Sequence, residues 1–396
     1  MSVEDALVLN GMFSLAARFS TSELFAEILL EERGKTFATE ALALIQRYLY
    51  GGSSERPSLK VLQGLVLISN YWMIKGPELM AWFLTGNACR MAQVLSLHNV
   101  DHDILTESGG IIELSTSAWA YREERRRAWW EVVRLDIFAS VTTQRPFNVD
   151  YSSMYVLLPV SDGSWFGEQP LSSAFLNTDP TATWKSLTGS ENQSPYAYFL
   201  VALWLMVIAY KMSQKVNLSP ESSEDMDTCL SCFVMSLPET FSLEGGNFCY
   251  VSADLAHEQN WILATHLIVQ NARSFLIHID TRIPRDSSQQ SIWSPEKADN
   301  LALRRSRPLL ANIMRILRQW SPDHVPLASP LLFCTLLGPS NYIMRCMKTV
   351  TQNQSRISLM RDLVVLTIRR VAQYWHIGSL ILGKQWFGNL QVLCIL

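Results

Sequence analysis

Apolar residues recur three and four positions apart along almost the whole of this chain. That spacing builds helices with one buried stripe and leaves little room for a sheet. Candidate helices cover Glu4–Phe19, Ser22–Arg33, Thr36–Tyr50, Ser58–Ile74 and Pro77–Ser96. In the last of these Met80, Phe83, Leu84, Met91, Val94 and Leu95 share a broad stripe, and Pro77 suits a first turn. Further helices are predicted from about Arg122 to Thr143, over Pro195–Val216, and from a Ser219-Pro220-Glu221 start to about Met235. Asp254–Ile279, Pro295–Trp320, Pro330–Thr349 and Arg356–Leu382 complete the pattern. The best strand signal, Tyr155–Leu158 before Pro159, is short. Two stretches interrupt the helices: a polar loop over Asn99–Ala118 with Gly109-Gly110, and a Pro-, Ser-, Thr- and Asn-rich passage over residues 144–194. The expected fold is all-α, a single large helical domain over residues 1–396 with one long irregular excursion. Without an internal repeat of about 20–50 residues, a solenoid is disfavoured.

Composition narrows the function classes. Charged residues are 17% of the 396 and apolar ones 48%, so disorder is excluded. A formal net charge of −3 argues against direct nucleic-acid binding, which needs an excess of Lys and Arg to neutralise phosphates. Cys89, Cys229, Cys232, Cys249, Cys334, Cys346 and Cys394 are odd in number and lack framework spacing, so they read as reduced thiols. Met1–Phe13 has no basic n-region of a secretory signal. The most apolar run, Tyr196–Tyr210, is 15 residues long, short of the roughly 17–25 a spanning helix needs. It is expected to be a buried core helix, with no membrane partner.

Three short motifs invite a chemical reading. Gly378-Ser-Leu-Ile-Leu-Gly383-Lys384 has phosphate-loop spacing, but Gln385 replaces the metal-holding hydroxyl and the surroundings read as one apolar helix. Two glycines closing or kinking a packed helix is the better reading. His98-Asn-Val-Asp101-His102-Asp103 gathers two imidazoles and two carboxylates, yet it leaves a helix end, where metal-facing geometry is not assured and His complements the dipole. Cys229-x2-Cys232 lies within a predicted helix with no second pair, and is expected to be two packed thiols on an apolar face rather than a zinc or redox site. No G-x-S-x-G, H-E-x-x-H or G-x-G-x-x-G motif occurs. No catalytic, cofactor-binding or metal-binding residue is therefore assigned.

The most informative stretch is Tyr121–Pro159. In its helix Trp130, Val133, Ile137 and Ser140 should face inward. Glu123 with Arg127, and Arg127 with Glu131, make i, i+4 pairs on what is expected to be a solvated face. Arg126 is placed to lay its guanidinium on Trp130. Asp136, near the inward stripe, needs a partner, and Arg145 is the candidate. On this reading Trp130→Ala costs about 3–5 kcal/mol, and Arg127→Ala well under about 1 kcal/mol.

Glu124-Arg125-Arg126-Arg127-x-Trp129-Trp130, then Asp136, Arg145-Pro146 and Leu158-Pro159, resembles the signature of the fungal-specific transcription factor domain, the middle homology region of fungal binuclear zinc-cluster regulators. Phe13–Ser20 looks like that domain's A-x-A-A-R-F helix, Leu62–Ser69 its LQALLLLS helix, and Ala81–His98 its W-x-x-x-G-x-A-x-R-M-A block. His266–His278 is similar to a later helix, so the likeness covers most of residues 12–282. Gln144 stands where the family usually carries Gly before Arg-Pro.

The resemblance implies a helical regulatory domain of a pathway-specific regulator of transcription by RNA polymerase II, located in the nucleus. In it Arg126, Arg127, Trp129, Trp130, Asp136, Arg145 and Pro146 are scaffold. Its partners would be proteins of the transcription machinery or an intact zinc-cluster regulator, with a small-molecule effector. The six-cysteine zinc cluster is not found in the sequence, so a DNA-reading head is not expected here and zinc is expected only in that missing segment. The alternatives are a headless, dominant-negative partner of an intact regulator, or a regulator-derived enzyme with a pocket lined by Trp and Met.

Overall fold

The computed structural model describes residues 2–51, 56–106, 115–215, 220–243, 255–282, 295–336 and 354–387. Among the described residues the fold is all-α, and the only pairing of extended backbone is an isolated antiparallel bridge between Leu157 and Phe175. The chain forms two compact units, Met1–Phe175 with Val371–Leu380, and Leu176–Arg370 with Ile381–Leu396.

The first unit contains α1 (Val3–Ala16), α2 (Lys35–Tyr50), α3 (Leu59–Lys75), α4 (Leu79–Val94), α5 (His102–Thr106), α6 (Thr116–Thr143) and α7 (Asp162–Phe166). Ser2, Ser58 and Ser115 cap α1, α3 and α6 by accepting hydrogen bonds from backbone N–H groups of the first turn. The Ser115 cap starts α6 six residues before the expected Arg122. Glu78 precedes α4 in extended conformation, so Pro77 lies outside the first turn it was expected to occupy. α1 crosses α3 at close range because glycines meet there. A Cβ on Gly64 would lie 2.4 Å from Leu7 Cγ, and one on Gly11 2.8 Å from Leu67 Cβ. Beyond that crossing α3 packs on α4, and both pack on α6, whose residues from Ala128 to Thr142 are buried on nearly every side.

Two expected helices do not form as single elements. Ser22–Arg33 carries only two short 3₁₀ turns, Glu23–Phe25 and Leu30–Glu32, neither burying a residue. A helix this short is stabilised mainly by burying one face, and this one has no face to bury. Arg33 holds the passage instead, donating to the carbonyls of Ser20 and Ile28.

Arg356–Leu382 is two helices, α12 (Gln354–Ala372) and α13 (His376–Phe387). The break falls where Arg18 intervenes. Its guanidinium, 2% exposed, donates to the carbonyls of Ser14, Leu15 and Tyr374, each at 2.8 Å, and lies 4.0 Å over the Trp375 ring. Burial pulls the Arg18 pKa down to about 10. Gly378 lets the first turn of α13 approach the end of α12, since a Cβ there would sit 2.5 Å from the backbone nitrogen of Ala372. Thus Gly378 of the phosphate-loop-like motif serves helix packing.

In the second unit α8 (Pro195–Ser213) lies against α10 (Ala256–Arg282), which also packs on α9 (Pro220–Ser236) and α11 (Pro295–Gln319). α8 is long and apolar enough to cross a membrane by length and composition, but 83% of its most apolar window is buried inside this unit. Trp261 of α10 packs at a tilt against the rings of Tyr196 and Phe199 of α8, each 4.7 Å away. Trp320, just past α11, donates to Asn260 of α10. The expected Pro330–Thr349 helix is a 3₁₀ stretch over Pro330–Leu336, and its remainder lies outside the described residues, as do Ser219 and Gly109-Gly110.

Gly64→Ala is expected to destabilise the protein by about 1–3 kcal/mol, because overpacking against Leu7 outweighs alanine's better helix propensity. Gly383→Ala, in α13 with nothing beyond its chain neighbours and the adjoining helix backbone within 4 Å of the new methyl, is expected to gain up to about 1 kcal/mol. Urea melts of the two variants check the contrast.

Candidate functional site

Residues 155–160 run extended and, from Val156 onward, buried, with no sheet to receive their backbone. Buried N–H and C=O groups must be paired somewhere. Here α6 and the turns beside it supply the partners. Tyr155 N donates to the His98 carbonyl at 2.7 Å and its own carbonyl accepts from Asp101 N at 2.9 Å. Leu157 N donates to the Asp101 carboxylate at 2.9 Å, while Trp130 Nε1 donates to the Leu157 carbonyl at 2.8 Å. Leu158 is held by Ala174 O and Ser173 Oγ. Pro159 has no N–H to satisfy. Val160 N donates to Glu123 at 3.0 Å, and Arg127 Nη2 donates to the Val160 carbonyl at 2.7 Å.

The carboxylates that accept these bonds, Asp101 and Glu123, are fully buried and are balanced by Arg126 and Arg127. Arg126, 3% exposed, grips Asp101 with Nε and Nη2 (2.6–3.1 Å) and donates Nη1 to Glu123 at 3.2 Å. Arg127 Nε lies 3.3 Å from Glu123, its Nη1 pairs with Asp162, and its guanidinium lies 4.4 Å over Trp165. Burial pushes the Glu123 pKa up, against the pull of Arg126 and Arg127. Three expectations are corrected here. The Glu123–Arg127 face is buried against residues 160–165, because that segment has to draw its hydrogen bonds from it. Arg126 turns to Asp101 instead of stacking on Trp130. Glu131 pairs with Arg134 at 2.6 Å. Trp129 and Trp130 are both 1% exposed, Trp129 beside the His98 ring.

Asp136 anchors a second loop. Its carboxylate, fully buried, accepts from Asn148 N and Nδ2, Val149 N and the Tyr151 hydroxyl at 2.8–3.2 Å, with Ser140 Oγ at 3.4 Å. The expected partner Arg145 lies 4.8 Å over the Trp82 ring instead, because the chain reverses between Asp136 and that residue and the loop beyond brings neutral donors in first. Pro146, exposed, offers its carbonyl to Ser140 Oγ. Burial and the Asp136 charge push the Tyr151 hydroxyl and the Cys89 thiol well up, so both stay protonated in neutral solution.

Sequence reasoning singled out Asp101, Glu123 and Trp82 without their roles here, and missed Asn148 and Tyr151. Its one available signal was the apolar run 155–160, whose backbone needs partners that only nearby acids and arginines offer. In the His98–Asp103 motif both carboxylates are committed to arginines, Asp101 to Arg126 and Asp103 to Arg122 at 2.8 Å. Among the described residues no group of three or more His, Cys, Asp or Glu is placed to hold a metal ion. Chemically, the site is a clamp for irregular backbone.

The family profile described as "Fungal specific transcription factor domain" matches residues 2–236, more than half of the chain. This chain belongs to that family. The similarity noted at His266–His278 lies beyond the matched stretch. The tropolone cluster transcription factor tropK of Talaromyces stipitatus is 26% identical over 216 residues, covering 54% of this chain and 35% of that protein. The Zn(2)-C6 fungal-type transcription factor FTF1c of Fusarium oxysporum is 28% identical over 218 residues, 52% of this chain and 22% of the other. The citrinin biosynthesis transcriptional activator mrl3 of Monascus ruber is 26% identical over 132 residues, 33% and 24%. The chain spans about a third or less of these curated relatives' own length. No solved structure matches it significantly.

Within the fungal-specific transcription factor domain, the position before Arg-Pro, where the resemblance leads one to expect Gly, carries a backbone constraint. The residue in that place, Gln144, ends α6 at φ 56°, ψ 37°, a left-handed conformation that glycine adopts without Cβ strain. Gln144→Gly is expected to raise stability by about 0.5–1 kcal/mol, net of the added freedom of the unfolded chain, in thermal or urea melts. Arg127→Ala, with its guanidinium committed to Glu123, Asp162 and Val160, is now expected to cost about 2–3 kcal/mol. That approaches the roughly 3–5 kcal/mol of Trp130→Ala. Paired urea melts measure both, and an Arg127→Ala cost near zero would mean the clamp is solvated.

Proposed function

We propose that this chain is the regulatory body of a pathway-specific fungal transcription regulator, working in the nucleus on transcription by RNA polymerase II. It acts through protein partners of the transcription machinery or an intact zinc-cluster regulator, tuned by a small-molecule effector. It neither reads DNA directly nor catalyses a reaction, and zinc belongs to a DNA-reading head. The observation that carries this reading is how the signature residues are spent. Arg126, Arg127 and Trp130, with Asp101 and Glu123, bind the backbone of residues 157–160 or one another. Groups tied in this way hold a loop in place and are unavailable as nucleophile, base or phosphate ligand. The net charge of −3 and the names of the curated relatives support the same reading.

The test is a reporter assay with the whole chain fused to a heterologous DNA-binding head. The fusion is expected to change reporter output several-fold over the head alone. Arg126→Ala, which leaves two buried carboxylates short of a partner, should abolish that change, and Arg47→Ala on exposed α2 surface should not. Output equal to the head alone, with the fusion folded and nuclear, would reject the reading.

A further inference from the structure

Cys229 and Cys232 stand one turn apart on α9, and both are half-buried. The expected packed apolar pair is therefore corrected: the inward stripe of α9 is Met226, Leu230 and Phe233, and the two thiols flank it. The turn that carries them is fixed. Arg273 of α10 donates to Asp227 and to Ser231, each at 2.9 Å, on either side of Cys229.

This geometry selects among thiol chemistries. Helical Cβ atoms three residues apart lie about 5–6 Å from each other, whereas a disulfide wants about 3.5–4.5 Å. A direct S–S bond would have to unwind the turn that Arg273 holds. Zinc wants four ligands, and the described residues place no group of three or more His, Cys, Asp or Glu around an ion. One bridging atom that bonds both sulfurs and brings its own third substituent spans the wider gap and asks for nothing more. Burial, helped by Cys232, Asp225 and Asp179, also pushes the Cys229 thiol up. That disfavours thiolate attack on oxidants, but a condensation that consumes neutral thiols is unaffected.

We propose that Cys229 and Cys232 form a chelating dithiol site for mono-substituted trivalent arsenic compounds. With an arsonous acid, R–As(OH)₂, the two As–O bonds break and two As–S bonds form. Both hydroxyls leave as water, taking up the two thiol protons, and no atom changes oxidation state. The bridged turn stays helical.

The experiment treats the whole chain with phenylarsonous acid, challenges it with excess glutathione and locates retained arsenic by mass spectrometry. Cleavage after glutamates releases residues 225–239 with both cysteines and no other. Wild-type protein is expected to retain one phenylarsenic in that peptide. C229S and C232S should each hold it on the order of a hundredfold more weakly, because a single thiol lacks the second, effectively intramolecular bond. Arsenic found only on other cysteines, lost to glutathione from the wild type, or held equally by either single variant would overturn the proposal. Should a variant fail to fold, the wild-type peptide map decides alone.

Discussion

An extended segment buried without a sheet is the constraint on which the rest of the first unit depends. In a sheet the neighbouring strand would supply a ladder of donors and acceptors. In residues 155–160 backbone groups of His98, Asp101 and Ala174 serve Tyr155 and Leu158, and side chains stand in for the ladder at Leu157 and Val160. Asp101 and Glu123 accept from Leu157 and Val160, while Trp130 and Arg127 donate to the same two residues. Acids and arginines thus enter a buried face as substitute backbone. The ion pairs among them follow, since two carboxylates placed out of water need cations beside them. Removing either kind of group leaves the other uncompensated.

Two other buried ions in this unit follow the same logic with no charged hydrogen-bonding partner. Asp136 is surrounded by N–H and O–H donors from residues 148–151, and Arg18 by three main-chain carbonyls and an indole face. Each sits where the chain leaves regular structure, Asp136 under the loop after α6 and Arg18 against the break between α12 and α13. A charged group makes stronger hydrogen bonds than a neutral one. That strength is used to fix loops that carry no pattern of their own.

These placements explain what was legible beforehand. α1, α2, α3 and the end of α6 at Thr143 follow from apolar spacing and capping, which act within a few residues. The Trp130 burial follows from the same stripe. The Ser22–Arg33 passage misled because its spacing is helical but no neighbour buries any of its short turns fully. The α12–α13 break was invisible because the group bound there, Arg18, lies 356 residues away from Tyr374. Arg127 was misjudged for a similar reason: its i, i+4 acid was visible, whereas the backbone of Val160 above it was not.

The sequence by itself determined an all-α chain, the family, a core-rich interior and which residue types cluster near Trp130. Those properties depend on composition and on periods shorter than two helical turns. Only the tertiary structure decided the partners of the ionised groups, the face on which Glu123 and Arg127 lie, and the role of the extended residues 155–160. Each of those is settled by backbone arriving from elsewhere in the chain, and a buried polar atom takes whichever partner the fold brings within reach.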